Sequence, residues 1–90
     1  MEREFIDVEL MNPIEVRGEF LKVIRFYEPL GEDLLKFDNG KGDTEKAMLV
    51  ASSISKIPVA EFKKMRVKDF MKCMKTVGQL MGESQETLDQ

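Results

Sequence analysis

Phe26-Tyr27-Glu28-Pro29-Leu30-Gly31-Glu32-Asp33-Leu34-Leu35 is where this chain changes character. Before it, apolar residues alternate around the turn-formers Asn12-Pro13 and Arg17-Gly18. After it, they recur at helical spacing to near the C-terminus. Pro29 fixes its own φ, pushes Glu28 out of the α region and suits a helix start just beyond it. Glu32 and Asp33 then fall in a helical first turn, where carboxylates complement the helix dipole. The order is an extended hairpin, an acidic strand exit and then short helices, which is an α+β arrangement.

Upstream of the junction, residues 4–11 place Ile6, Val8 and Leu10 on one face and Asp7 and Glu9 on the other, the pattern of a half-buried antiparallel strand. Asn12-Pro13 is expected to end it. Ile14-Glu15-Val16 reads as a short second strand, and Arg17-Gly18 as a tight turn into a third over residues 19–27. The β part, residues 1–29, is thus a hairpin or three-stranded meander. Its last strand is apolar on both faces, with Phe20, Ile24 and Phe26 on one and Leu21 and Val23 on the other. A register-changing bulge or a second covering element accounts for this better than a surface kept for a partner.

Downstream, residues 30–82 form the helical part, packed against the β part in a single domain spanning 1–90. A first helix over residues 30–37 uses Leu34, Leu35 and Phe37 as apolar contacts, and Asp38-Asn39-Gly40-Lys41-Gly42-Asp43 is a loop. Asp43 or Thr44 is expected to cap a second helix, whose apolar positions are Ala47, Val50, Ala51, Ile54 and Ile57. Pro58 ends that helix and opens a third, with Val59, Phe62 and Met65 spaced by three. The fourth runs from Val67 to about Gly82, with Val67, Phe70, Met71, Met74, Val77 and Met81 in one stripe. Residues 83–90 are a polar tail. The bundle therefore holds three to four short helices.

The chemistry is sparse. The 90 residues contain no histidine, which removes the commonest general base and metal ligand and every Ser-His or Cys-His nucleophile pair. The single cysteine, Cys73, lies inside a helix, away from the N-terminal dipole that would depress a thiol pKa, and reads as a half-buried filler. The loop at residues 38–43 lacks the terminal bidentate glutamate of an EF-hand, and its glycines precede no phosphate-loop Lys-Ser/Thr. No catalytic, metal or cofactor residue is assigned, and an enzyme is the poorest fit. No apolar run approaches a membrane span of about 18 residues, and the Met1-Glu2-Arg3-Glu4 start carries no signal-peptide core.

Charge is uneven. Residues 1–45 hold 12 acidic and 6 basic side chains, while residues 46–90 hold 5 acidic and 8 basic, giving the net −3. Lys63, Lys64, Arg66, Lys68, Lys72 and Lys75 make a basic run, but Phe70, the aromatic residue within it, falls in the opposite apolar stripe and the chain is acidic overall, so the run reads as a solvated face. Six methionines beyond the initiator, at 11, 48, 65, 71, 74 and 81, suit either a gap-filling core or a surface accommodating varied apolar partners. A chain of this size buries roughly 60–65% of its unfolded surface, so partner binding or self-association into a homo-oligomer is expected.

Parsed this way, the chain resembles the small tail assembly chaperones of Mu-like tailed phages and prophages. The likeness spans about residues 5–82. Leu10-Met11-Asn12-Pro13-Ile14-Glu15-Val16 resembles that family's strand leading into a Pro-Ile pair, and Arg17-Gly18-Glu19 its glycine hairpin. Phe26-Tyr27-Glu28-Pro29-Leu30 resembles its strand exit, and Asp33-Leu34 its helix start. Ala47 to Ile54, the Ile57-Pro58 break and Phe62, Met65 and Asp69-Phe70 follow its helical half. The chain departs from the pattern at Tyr27 and Leu30, where arginine and threonine are more usual, and at Lys56, where glycine is common.

The resemblance implies a non-enzymatic chaperone in the cytoplasm of a bacterial host, absent from the mature virion. It implies two partners, the tape-measure protein, whose apolar helical segments are shielded, and the tail-tube protein recruited around it. A frameshift-extended form is common among tail chaperones, and residues 83–90 are where such an extension would attach. Helix-in-groove capture, with Phe70, Met71, Met74 and Met81 lining part of the groove, is the expected partner-binding site. A small structural tail subunit and a nucleic-acid-binding regulatory module are the alternative readings.

Overall fold

The computed structural model of the protein describes residues 3–82. Two antiparallel strands, β1 (Phe5–Val16) and β2 (Glu19–Tyr27), form a hairpin, followed by α1 (Gly31–Leu34), a 3-10 turn (Phe37–Asn39), α2 (Asp43–Ser55), α3 (Val59–Lys64) and α4 (Val67–Leu80). The fold is α+β, with the hairpin lying on the helices: α4 packs mainly against β1 and α2 against β2. Alternation selects the inward face of the hairpin. Val8, Leu10, Ile24 and Phe26 are buried there against Val50, Ala51 and Ile54 of α2, Ile57, Phe62, Met65, Cys73 and Val77. Phe26 and Phe62 meet at 6.2 Å between ring centroids. Burying each such ring is worth about 1.5–3 kcal/mol.

The hairpin turn has φ 51° at Arg17 and 84° at Gly18. Positive φ at both central residues is the turn that matches strand twist, and glycine takes it without a Cβ penalty. The expected three strands are two. Asn12-Pro13 does not end a strand; it lies within β1, where the register jumps from Glu9↔Val23 to Ile14↔Leu21. Residues 10–13 therefore stand opposite Lys22 alone, an enlarged bulge of four residues against one. A bulge tolerates proline because it is excused from the ladder. The register change anticipated for the last strand is thus real, but it sits in β1. Phe20, assigned to the inward face with Ile24 and Phe26, is 76% exposed.

The junction differs in detail from its sequence reading. Helix α1 is one turn long, and Leu34 and Leu35, expected as its core contacts, are exposed, whereas Phe37 is half-buried. Neither Asp43 nor Thr44 caps α2. Gly42 is the capping residue, without a side-chain hydrogen bond, and the Lys41 N–H donates to Glu45 Oε1 at 2.8 Å. Gly40 is required for a different reason: a Cβ there would stand 2.8 Å from Lys46 backbone atoms. The Ile57-Pro58 break is as expected. Lys56 caps α2 in the left-handed region, at φ 63°, and Pro58 opens α3. The expected polar tail at residues 83–90 lies outside the described residues, as do residues 1–2.

Candidate protein-binding surface

Helix α4 is the element on which the sequence placed a partner site, and its buried face decides what that site can be. Asp69, Cys73, Thr76 and Val77 are buried. At 3.6 residues per turn, this face lies roughly a quarter turn away from the centre of the expected apolar stripe. The stripe therefore runs along the border of the contact. Val77 is in the core; Phe70, Met74 and Met81 are half-buried and pack on the core's edge; Val67 and Met71 are 72% and 60% exposed.

The four candidate residues are thus not brought together in one groove. Phe70, Met71 and Met74 share a short stretch of α4. Met81 caps the other end of the helix and lines a cleft of about 160 Å³ with Glu28, Pro29, Leu34 and Leu80. The exposed leucines of the junction, Leu30, Leu34 and Leu35, lie on the segment that forms one wall of this cleft. Among the other methionines, Met65 is buried, Met48 is half-buried on the core and Met11 is 62% exposed.

Sequence reasoning missed what holds α4 in place. The Asp69 carboxylate is fully buried and accepts the backbone N–H groups of Met11 and Asn12, each at 2.9 Å. These are the donors that the bulge removes from the ladder, so a helix side chain replaces the missing strand partner. Lys72 completes the clamp, donating from Nζ to the Glu9 carbonyl at 2.6 Å. Burial pushes the Asp69 pKa up, but the two N–H donors and the Lys72 charge outweigh it and hold the carboxyl below its ordinary value. One helical turn on, Cys73 is fully buried rather than half-buried, with its Sγ 3.9 Å from Met65 Sδ. Burial, reinforced by the Asp69 charge, pushes its thiol up to about 12.

Asp33 performs the same office at the junction. Its carboxylate reaches back to the Leu30 N–H at 2.7 Å, the cap expected of a first-turn acid. It also accepts from Ser53 Oγ on α2 and from Arg3 Nη2, at 3.2 Å for the latter. Arg3 in turn donates to the Glu28 carbonyl. Desolvation pushes the Asp33 carboxyl up, and its hydrogen bonds to Leu30 and Ser53 and the nearby Arg3 and Lys56 charges bring it below the ordinary range. On the hairpin's outer face, Arg25 pairs with Asp7 at 2.8 Å and stacks 3.8 Å over the Phe5 ring.

These features define a small α+β domain, a hairpin clamped on helices, that leaves apolar side chains uncovered along the border of its last helix. The chain belongs to the phage tail assembly chaperones: the family model described as "Phage tail assembly chaperone proteins, E, or 41 or 14" matches residues 7–82. No curated protein and no solved structure matches it. The matched span takes in the β1 bulge, the junction and the whole of α4. Tail assembly chaperones are generally non-enzymatic, and among the described residues no helix is long and apolar enough to cross a membrane.

Proposed function

We propose that this chain, acting as one domain over residues 1–90, binds the tape-measure protein and helps to recruit tail-tube subunits around it during tail morphogenesis. The observation that carries the reading is the uncovered apolar border of α4, where Val67 and Met71 stand 72% and 60% exposed in a family of assembly chaperones. A holding protein must bind several apolar segments and release them, and flexible thioether side chains serve that better than a rigid pocket. Met71 is the uncovered member of the proposed contact, Phe70 and Met74 form its half-buried floor, and Met81 contributes from the far end. The protein works without catalysis in the host cytoplasm and leaves before the virion is complete.

Co-expression with the tape-measure protein tests this. The unaltered chain is expected to co-purify with it, and Met71→Asp to abolish capture while the circular dichroism spectrum and melting temperature stay unchanged. Undiminished capture by a folded Met71→Asp variant would refute the assignment of the surface. Recovery of the chain in purified virions by mass spectrometry would favour a structural tail subunit instead.

A further inference from the structure

Helix α4 carries two parallel rows. Val67, Met71 and Met74 follow one another at spacings of four and three, and Lys68, Lys72 and Lys75 do the same one position along. Residues at these spacings are neighbours on a helix surface, so an apolar row and a cationic row run side by side. All three lysines are exposed. Lys72 is engaged with the Glu9 carbonyl. Lys68 and Lys75 enter no ion pair among the described residues. The only acid on the helix, Asp69, is buried and fully used by the bulge. No counter-charge for this row is supplied by α4 itself.

Resting on the function proposed above, we infer that α4 selects amphipathic helical segments that carry aspartate or glutamate along one border of their apolar seam. The apolar row buries the seam, and Lys68 and Lys75 meet the acidic border. A seam bordered by lysine or arginine is rejected by like charge, so the rows set both the class and the orientation of the segment. A nucleic acid is the poorer occupant, because Val67 and Met71 offer no stacking face.

Fluorescence anisotropy with labelled amphipathic peptides that share one apolar seam, bordered by Glu or by Lys, tests the inference on the full chain. The Glu-bordered peptide should bind about tenfold more tightly at low salt, from the two exposed charge pairs and their reversal. The preference should shrink below about threefold near 1 M salt, where the screening length falls to about 3 Å. The double variant Lys68→Glu/Lys75→Glu should invert the order, while Met71→Asp should weaken both peptides. Equal affinities, an order unmoved by the double variant, or displacement of the peptide by a single-stranded oligonucleotide would each overturn the inference. Because the tape-measure capture assay is independent of peptide charge, loss of the preference with capture intact leaves the proposed function standing.

Discussion

Replacing Asp69 by asparagine should destabilise this protein more than any other single-atom change on its helices. The carboxylate accepts two backbone N–H groups at 2.9 Å from within a fully buried position. An asparagine in the same pose has one oxygen to offer, and its NH₂ group faces the second N–H as donor against donor. Hydrogen bonds to a charged group contribute about 1.5–3 kcal/mol each, and an orphaned buried donor costs about 1–3 kcal/mol. A loss of about 3 kcal/mol is therefore expected. Against a total stability of about 5–13 kcal/mol for a chain of this length, that is a large fraction. The melting temperature should fall by roughly 12–20 °C, and urea denaturation followed by circular dichroism should show a lower midpoint at unchanged slope. Amide exchange should localise the change, with the Met11 and Asn12 N–H groups losing protection first. A stability within about 0.5 kcal/mol of the parent would refute the clamp, since that is the range of an uninvolved surface position.

Further expectations follow from the same contacts. The folded-state carboxyl pKa values of Asp7, Asp33 and Asp69 are all depressed, so the unfolded chain binds more protons in acid: their stabilisation is present above about pH 4 and is lost as pH falls through the folded values. Acid titration of stability should be shallower for Asp69→Asn than for the parent. Cys73, buried and with its thiol pushed up to about 12, should react with a disulfide reagent only through opening of the fold, and faster in Asp69→Asn. Lys56→Gly should raise stability by about 0.5–1 kcal/mol in thermal unfolding, because the left-handed backbone penalty of about 1–2 kcal/mol exceeds glycine's entropic cost at this exposed cap. Phe62→Ala, in contrast, should cost about 3–5 kcal/mol by opening a cavity under Phe26.

What could be read from the sequence was what depends on near neighbours. The period-two pattern of Ile6, Val8 and Leu10 and the helical spacing of Val50, Ala51, Ile54 and Ile57 each record burial in the residue types themselves, and Pro58 breaks the chain wherever it sits. Asn12-Pro13 was illegible because turn-formers serve a bulge as well as a turn; only the acceptor that Asp69 provides, 57 and 58 residues away, decides between them. Leu34 and Leu35 look like core until α1 proves to be a single turn, too short to bury either of them. The stripe on α4 is apolar as read, but the buried face is centred roughly a quarter turn away from it. Its true buried centre includes an aspartate, a cysteine and a threonine, which no hydrophobic pattern weights.

The Asp69 clamp also sets an order of events in the cell. The hairpin's register jump leaves two N–H groups that only a residue nearly sixty positions downstream can accept. At about 5–20 residues per second, synthesis delivers that residue roughly 3–12 s after the bulge itself. Until then the Arg17-Gly18 turn sets the pairing beside it, but the strands beyond the bulge lack the contact that holds their offset and their apolar face has no lid. A member of a family of assembly chaperones thus passes its own first seconds as the kind of chain that needs a chaperone.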